Sequence, residues 1–133
     1  MNNMLTTEIF WLVATVLMTA LFWVPYILNR FAENGVFAAI WDPQGVTQAK
    51  AAWADRMMRA HKNAIENLMI FAPLVIVVQQ FNLATDATAI AAMVYFYARL
   101  VHFAVFTLAI PVLRVVSFLV GFGAQMVLVA ALL

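Results

Sequence analysis

Four long apolar segments make up most of the chain, and they restrict its fold more than any other feature. A helix needs roughly 20 residues to cross about 30 Å of hydrocarbon. We place four spans of at least that length at about residues 5–28, 51–80, 84–110 and 111–133, with one substantial loop at 31–50. Hydrophobic residues account for 67% of the chain and charged residues for 10%, unlike a soluble globular protein. The sequence therefore predicts one all-α domain, residues 1–133, that forms an integral membrane four-helix bundle passing up, down, up and down.

The Lys and Arg residues are concentrated at two of the three connections. The third connection leads into Arg114, and the first connection and its flanks hold a larger group: Arg30, Lys50, Arg56, Arg59 and Lys62. The second connection, around residues 81–86, and both termini have none. Because positive residues mark the cytoplasmic side, we predict that both termini lie outside and that the first and third connections are cytoplasmic. We expect the membrane to be a bacterial inner membrane. The N-terminus lacks the basic region of a cleavable signal peptide, so we interpret the first apolar segment as a retained span.

The chain contains no cysteine, which excludes a disulfide, a thiolate metal site and a nucleophilic thiol of its own. Any sulfur chemistry must therefore arrive with a ligand. The net charge is +1, and there is no basic run or aromatic stacking pattern that would indicate a nucleic-acid partner. We predict no metal site.

Charged side chains fall on one narrow face of the second predicted span: Asp55, Arg59, Lys62 and Glu66. Asn63 flanks this face, whereas His61 lies about 130° from it around the helix and is interpreted as a packing or headgroup contact. An ordinary solvated helix face would explain Asp55. It does not explain Glu66, which lies about 15 Å further along the helix and is followed by apolar sequence. Because a charge in a bilayer costs roughly 2.5–3.5 kcal/mol on insertion scales, we expect this face to line a protein cavity.

The third span carries a stripe with the same spacing: Tyr95, Arg99, His102 and Phe106. Arg99 lies near the middle of the span without a charge nearby on its own helix, so Glu66 is its expected ion-pair partner. For His102, a satisfied polar group and a ligand contact are both open. For Arg30, which closes the first span, anchoring at the membrane surface and a ligand contact are also both open.

The fourth span begins at Pro111 and places Arg114 in its first turn, followed on one face by Phe118, Gly121 and Gln125. We expect Gln125 to make an interhelical hydrogen bond. The predicted topology brings the polar residues of spans two, three and four to the same depth in the cytoplasmic half. Their four positive and two negative charges give an excess of two positive charges, and such a cavity attracts anions from the cytoplasm. The excess of positive charge does not identify the ligand.

The segment Arg59-Ala60-His61-x-Asn63-x-x-Glu66-Asn67 resembles the signature of the MAPEG family, the membrane-associated proteins in eicosanoid and glutathione metabolism. The four short spans, the polar first loop, Arg99-x-x-His102 and Pro111-x-x-Arg114 agree with this resemblance over nearly the whole chain. It implies a homotrimer that holds glutathione at the protomer interfaces near the cytoplasmic side. It also implies transferase, peroxidase or isomerase chemistry, or in some members lipid binding without chemistry.

The resemblance also implies roles for particular residues. It assigns glutathione binding to Arg59, Lys62, Asn63, Glu66, Arg99 and His102, to which we add Arg30, and it places Arg114 beside the thiol as the catalytic residue. Lys62 stands where some members have Arg. Phe106 and Phe118 stand where glutathione-active members often have Tyr, and Val115 where one branch has Ser. These departures bear on catalysis more than on binding.

The leading hypothesis is a membrane-embedded glutathione-dependent transferase or peroxidase. Glutathione would be its co-substrate, and lipophilic electrophiles or lipid hydroperoxides from the bilayer its second substrate. The alternative is a non-catalytic protein of the same fold that binds glutathione or lipid as a membrane scaffold. A weaker third hypothesis is a proton or cation carrier using Glu66, Arg99 and His102, but the chain lacks the repeats and broken helices of carriers.

Overall fold

The computed structural model describes residues 4–45 and 47–133, and its regular secondary structure there is helical throughout. The helices are α1 (Thr7–Leu21), α2 (Val24–Asn34), α3 (Val36–Ile40), α4 (Ala52–Gln80), α5 (Asp86–Thr107) and α6 (Pro111–Leu132). Four stretches are long and apolar enough to cross a membrane: Thr7–Asn34, Ala52–Gln80, Asp86–Thr107 and Pro111–Leu132. The prediction of an all-α, four-span membrane protein is therefore confirmed.

The first span is divided into two helices, where the sequence predicts one helix over 5–28. α1 ends at Leu21, and α2 begins at Val24 with Pro25 in its first turn. Proline has no amide hydrogen to donate to the carbonyl four residues earlier, which favours a break at this position. α2 then continues to Asn34, and α3 follows immediately, so part of the segment predicted as a loop at 31–50 is helical.

The core of the bundle is formed where α1, α4, α5 and α6 meet. Phe71 of α4 stacks on Tyr95 of α5 with 3.8 Å between ring centroids, and both are almost fully buried. α6 packs on α5 at Gly121, where a Cβ would lie 3.8 Å from the Cβ of Ala98, an ordinary van der Waals distance. The predicted interhelical role of Gln125 is confirmed: its Nε2 donates to the backbone oxygen of Asn67 at 3.2 Å.

A buried carboxylate joins three helices at the end of the bundle where α4 stops and α5 starts. Glu8 of α1 is 3% exposed and accepts hydrogen bonds from Thr88 at 2.6 Å and from Gln79 at 3.3 Å. Thr85 caps α5 in a capping box with Thr88. These bonds fix the lengthwise positions of α1, α4 and α5 relative to one another.

A second carboxylate holds the opposite end together. No side chain caps α4, but Glu33 of α2 holds the residues just before it by accepting from the amides of Lys50 at 2.9 Å and Ala51 at 2.8 Å. Arg30 donates to the carbonyl of Thr47 at 2.8 Å. The start of α4, which carries the charged face, is therefore positioned by α2.

Candidate functional site

The charged face of α4 points away from the core of its own chain. Arg59, Lys62 and Glu66 are exposed, whereas Ala60 and Ala64 of the same helix are buried against the bundle. Arg59 forms an ion pair with Asp55 at 2.6 Å. Together with one residue of α2, this side of α4 lines a cleft of about 520 Å³, which we call the outer cavity: Tyr26, Asp55, Met58, Arg59, His61, Lys62, Ile65 and Glu66.

A second cavity lies where α4, α5 and α6 meet. We call it the inner cavity; it measures about 250 Å³ and is lined by Asn63, His102, Phe106, Arg114, Val115, Phe118 and Leu119. The imidazole of His102 is 3% exposed and contacts the rings of Phe106 and Phe118, with centroids 5.7 and 6.1 Å away. Arg114 places its guanidinium 5.1 Å from the centroid of Phe106, a cation–π geometry that leaves its hydrogen-bond donors available.

Arg99 is buried beside the inner cavity, with 2% of its surface exposed. Its guanidinium donates to Oδ1 of Asn63 at 2.5 Å. The predicted ion pair between Arg99 and Glu66 is wrong for the single chain: the two are not within 4 Å of each other, and Arg99 is bonded to Asn63 instead. Three residues along a helix change the side-chain direction by about 60°, so α4 presents Asn63 to α5 and leaves Glu66 outside.

Several buried polar atoms around Arg99 have no hydrogen-bond partner in the described part of the chain. Among them are Nε of Arg99, Nδ1 of His102 and the hydroxyl of Tyr95, all from one stripe of α5. A buried polar group without a partner typically costs about 1–3 kcal/mol. Within the described residues, the buried guanidinium of Arg99 is bonded only to the neutral amide of Asn63, and the imidazole of His102 has a nitrogen without a partner. This arrangement fits an anionic ligand such as a carboxylate.

The residues predicted for the site are thus divided between two places. Arg59, Lys62 and Glu66 line the outer cavity, and Asn63, His102 and Arg114 line the inner one. Arg30 lines neither cavity, since its guanidinium is bonded to the carbonyl of Thr47.

Tyr26 lines the outer cavity but is not among the residues that the sequence singles out. Its hydroxyl lies 2.7 Å from Nδ1 of His61. Helical periodicity could not show this contact, because Tyr26 belongs to another helix and the two residues are 35 positions apart.

Comparison with known proteins identifies the family. The profile described as MAPEG family matches residues 9–133, nearly the whole chain. A comparison with curated proteins gave no significant match.

Proposed function

The chain belongs to the MAPEG family, and we propose that it is a membrane-embedded glutathione-dependent transferase or peroxidase. It would act on lipophilic electrophiles or lipid hydroperoxides supplied by the bilayer. Family membership supports a membrane function related to glutathione in general. The particular reaction is our proposal, and it depends on the charges of the two cavities.

The observation that carries the proposal is the exposure of Lys62 and Glu66 at membrane depth. α4 has 29 residues, so it is about 44 Å long against about 30 Å of hydrocarbon. Counting roughly 20 residues back from Gln80 places the membrane boundary near residue 61, so Glu66 lies several ångströms inside. Each charge left facing lipid would cost roughly 2.5–3.5 kcal/mol. We infer that a second copy of the chain covers this face.

A cyclic homotrimer would bring the two cavities together. In a ring, each subunit contacts one neighbour through one surface and the other neighbour through a different surface. The outer cavity of one copy would then face the inner cavity of the next. The joined site would combine Arg59, Lys62 and Glu66 with Asn63, Arg99, His102 and Arg114. We propose that this site opens to the cytoplasm, with both termini outside and the first and third connections inside.

Glutathione suits such a site because it carries two carboxylates and one ammonium. In our proposal the cations bind its carboxylates, Glu66 binds its ammonium, and Arg114 stabilises its thiolate. Lowering a thiol pKa from about 8.5 to about 7 requires roughly 2 kcal/mol of differential stabilisation, which one desolvated Arg can provide. Lys62 contributes a point charge where an Arg would bind a carboxylate through two parallel hydrogen bonds.

The first experiment is calorimetric titration of glutathione into the purified protein, wild type beside Glu66→Gln. We expect wild-type binding and at least tenfold weaker binding in the variant. Asp86→Asn is the matched control, because Asp86 is also an exposed carboxylate but lies at the start of α5, away from both cavities. Equal affinity in wild type and Glu66→Gln would contradict the assigned role of Glu66.

The second experiment tests catalysis. Purified protein should conjugate glutathione to 1-chloro-2,4-dinitrobenzene, and Arg114→Ala should abolish this turnover and the absorbance of the bound thiolate, whereas Lys50→Ala should retain both. Mixing Glu66→Gln and Arg114→Ala chains before trimer assembly tests the shared site. Random mixing restores about one quarter of the sites if each site uses two copies, and none if each site lies within one chain.

The alternative is a protein that binds glutathione or lipid without chemistry. The lining of the inner cavity favours it, because the rings of Phe106 and Phe118 surround His102 without a hydroxyl group. Glutathione binding without turnover of any lipophilic electrophile or hydroperoxide would support this second function over the first.

A further inference from the structure

The outer cavity contains a tyrosine–histidine pair that the proposed function leaves without a role. Tyr26 of α2 and His61 of α4 both line this cavity, as do Lys62 and Glu66. The hydroxyl of Tyr26 lies 2.7 Å from Nδ1 of His61. The imidazole also packs edge-on against Phe22, with 6.1 Å between centroids and 88° between planes. These contacts fix the ring of His61, and the ring in turn fixes the hydroxyl of Tyr26.

The chemistry of the two groups decides where the hydrogen of the pair lies. A neutral imidazole has one N–H donor and one acceptor nitrogen, and a phenol hydroxyl is a stronger donor than an imidazole N–H because it is more acidic. The favoured arrangement of the 2.7 Å contact therefore has Tyr26 donating to Nδ1 of His61, with the imidazole hydrogen on Nε2.

We propose that Tyr26, oriented by His61, is a hydrogen-bond acceptor that recognises the amino end of a glutathione-like ligand in the outer cavity. Tyr26 has one hydrogen, which is used on His61, so its oxygen offers only lone pairs to the cavity. This inference rests on the proposed function, because it takes glutathione as the ligand of the joined site.

The other acceptors in the outer cavity indicate the same end of the ligand. The carboxylate of Asp55 is already paired with Arg59 at 2.6 Å. Glu66 has no ion-pair partner within 4 Å in the described part of the chain. The charge of Asp55 is thus balanced by Arg59, whereas Glu66 and Tyr26 are acceptors of this cavity without a bonded cation in the described part of the chain. The γ-glutamyl ammonium is the one cation of glutathione, and its three hydrogens can serve both acceptors.

Tyr26 is also the tyrosine in the best position for this role. The chain has three tyrosines. Tyr95 is 1% exposed and stacks inside the core on Phe71, and Tyr97 lines a separate apolar groove between α5 and α6. Phe106 and Phe118 provide no hydroxyl to the inner cavity. In the proposed joined site, Tyr26 provides one from the opposite wall, as an acceptor.

The test compares two ligands in two proteins. Glutathione and its desamino analogue, in which hydrogen replaces the α-amino group, are titrated calorimetrically into wild type and Tyr26→Phe. We expect Tyr26→Phe to weaken glutathione binding about tenfold, as for a charge-assisted hydrogen bond, and to change binding of the analogue less than twofold. An equal loss for both ligands, or no loss for glutathione, overturns this inference alone. A wild-type protein that does not bind glutathione overturns the proposed function with it.

Two further measurements test the orienting role of His61. The chain has two histidines, so ¹⁵N imidazole signals of labelled protein can be assigned with one His102 variant. We expect His61 as the Nε2–H tautomer, and an Nδ1–H tautomer would overturn the acceptor assignment. His61→Leu should weaken glutathione binding in wild type but cause no further loss in Tyr26→Phe, because the two residues act as one unit. An additive loss would overturn the orienting role, since it would give His61 an effect independent of Tyr26.

Discussion

Replacing Asn63 by Asp should stabilise the folded protein while weakening its affinity for glutathione. The buried guanidinium of Arg99 donates to Oδ1 of Asn63 at 2.5 Å, and its Nε has no partner in the described part of the chain. Asp has nearly the same shape as Asn and places a carboxylate at that oxygen. A hydrogen bond to a charged group contributes about 1.5–3 kcal/mol, against about 0.5–1.5 kcal/mol for a typical neutral pair. Because one partner is already charged in the wild type, we expect a net gain of about 1 kcal/mol from ionic pairing.

The same carboxylate would compete with the ligand. If Arg99 binds a carboxylate of glutathione in the proposed site, the carboxylate introduced by Asn63→Asp neutralises Arg99 beforehand, and we expect at least tenfold weaker binding. Asn63→Ala should have the opposite effect on stability, with a loss of about 1.5–3 kcal/mol because the guanidinium loses its acceptor. Saturating glutathione should recover part of this loss, since a ligand at about 100 times its dissociation constant stabilises by about 2.7 kcal/mol.

The assay is thermal unfolding of the detergent-solubilised protein with and without glutathione, followed by calorimetric titration. Gln80→Glu is the matched control, because it also replaces a side-chain amide of α4 by a carboxylate, but at the exposed end of the helix. Loss of stability in Asn63→Asp, or full affinity of this variant for glutathione, would refute the assignment of Arg99 as a cation awaiting an anion.

Three other substitutions give independent tests. Glu33→Gln should lower the melting temperature, because one amide oxygen cannot serve both the Lys50 and Ala51 amides, and hydrogen exchange at these two amides should rise. Gly121→Ala should raise the melting temperature slightly, because its Cβ would lie 3.6 Å from Arg99 Cδ, an ordinary contact, and Ala favours a helix over Gly by about 0.5–1 kcal/mol. Lys62→Arg should strengthen glutathione binding severalfold in titration, because a guanidinium can bind a carboxylate through two hydrogen bonds.

The sequence predicts features that depend on one helix or one turn. Hydropathy and length locate the four spans, since each must satisfy the same membrane thickness. Thr85 caps α5, and Pro111 begins α6, because capping and proline geometry are local. Thr15 and Thr19 donate to backbone oxygens one turn earlier, at 2.7 Å each, as is usual for Thr in apolar helices.

The sequence does not predict which side chains meet across helices. Helical periodicity predicts that Glu66 and Asn63 lie on adjacent faces of α4, but it does not predict which of the two faces α5. The charge of Arg99 favours the carboxylate as its partner, whereas the structure gives it the amide. The contact between Tyr26 and His61 joins α2 to α4 across 35 positions of sequence. Long-range contacts of this kind follow from packing and not from spacing along one helix.

The two sides of α4 explain both the features that the sequence predicts and the contacts that it does not. One side of this helix is small and apolar at Ala60 and Ala64, where it packs on its own bundle, and the other carries Lys62 and Glu66. A charged side in a membrane-spanning helix is retained only where another polar surface covers it. The inner cavity offers such a surface, with Arg114 at its rim and a buried cation behind it. The partners of Lys62 and Glu66 are therefore expected in a neighbouring copy and in a zwitterionic ligand, neither of which a single chain contains.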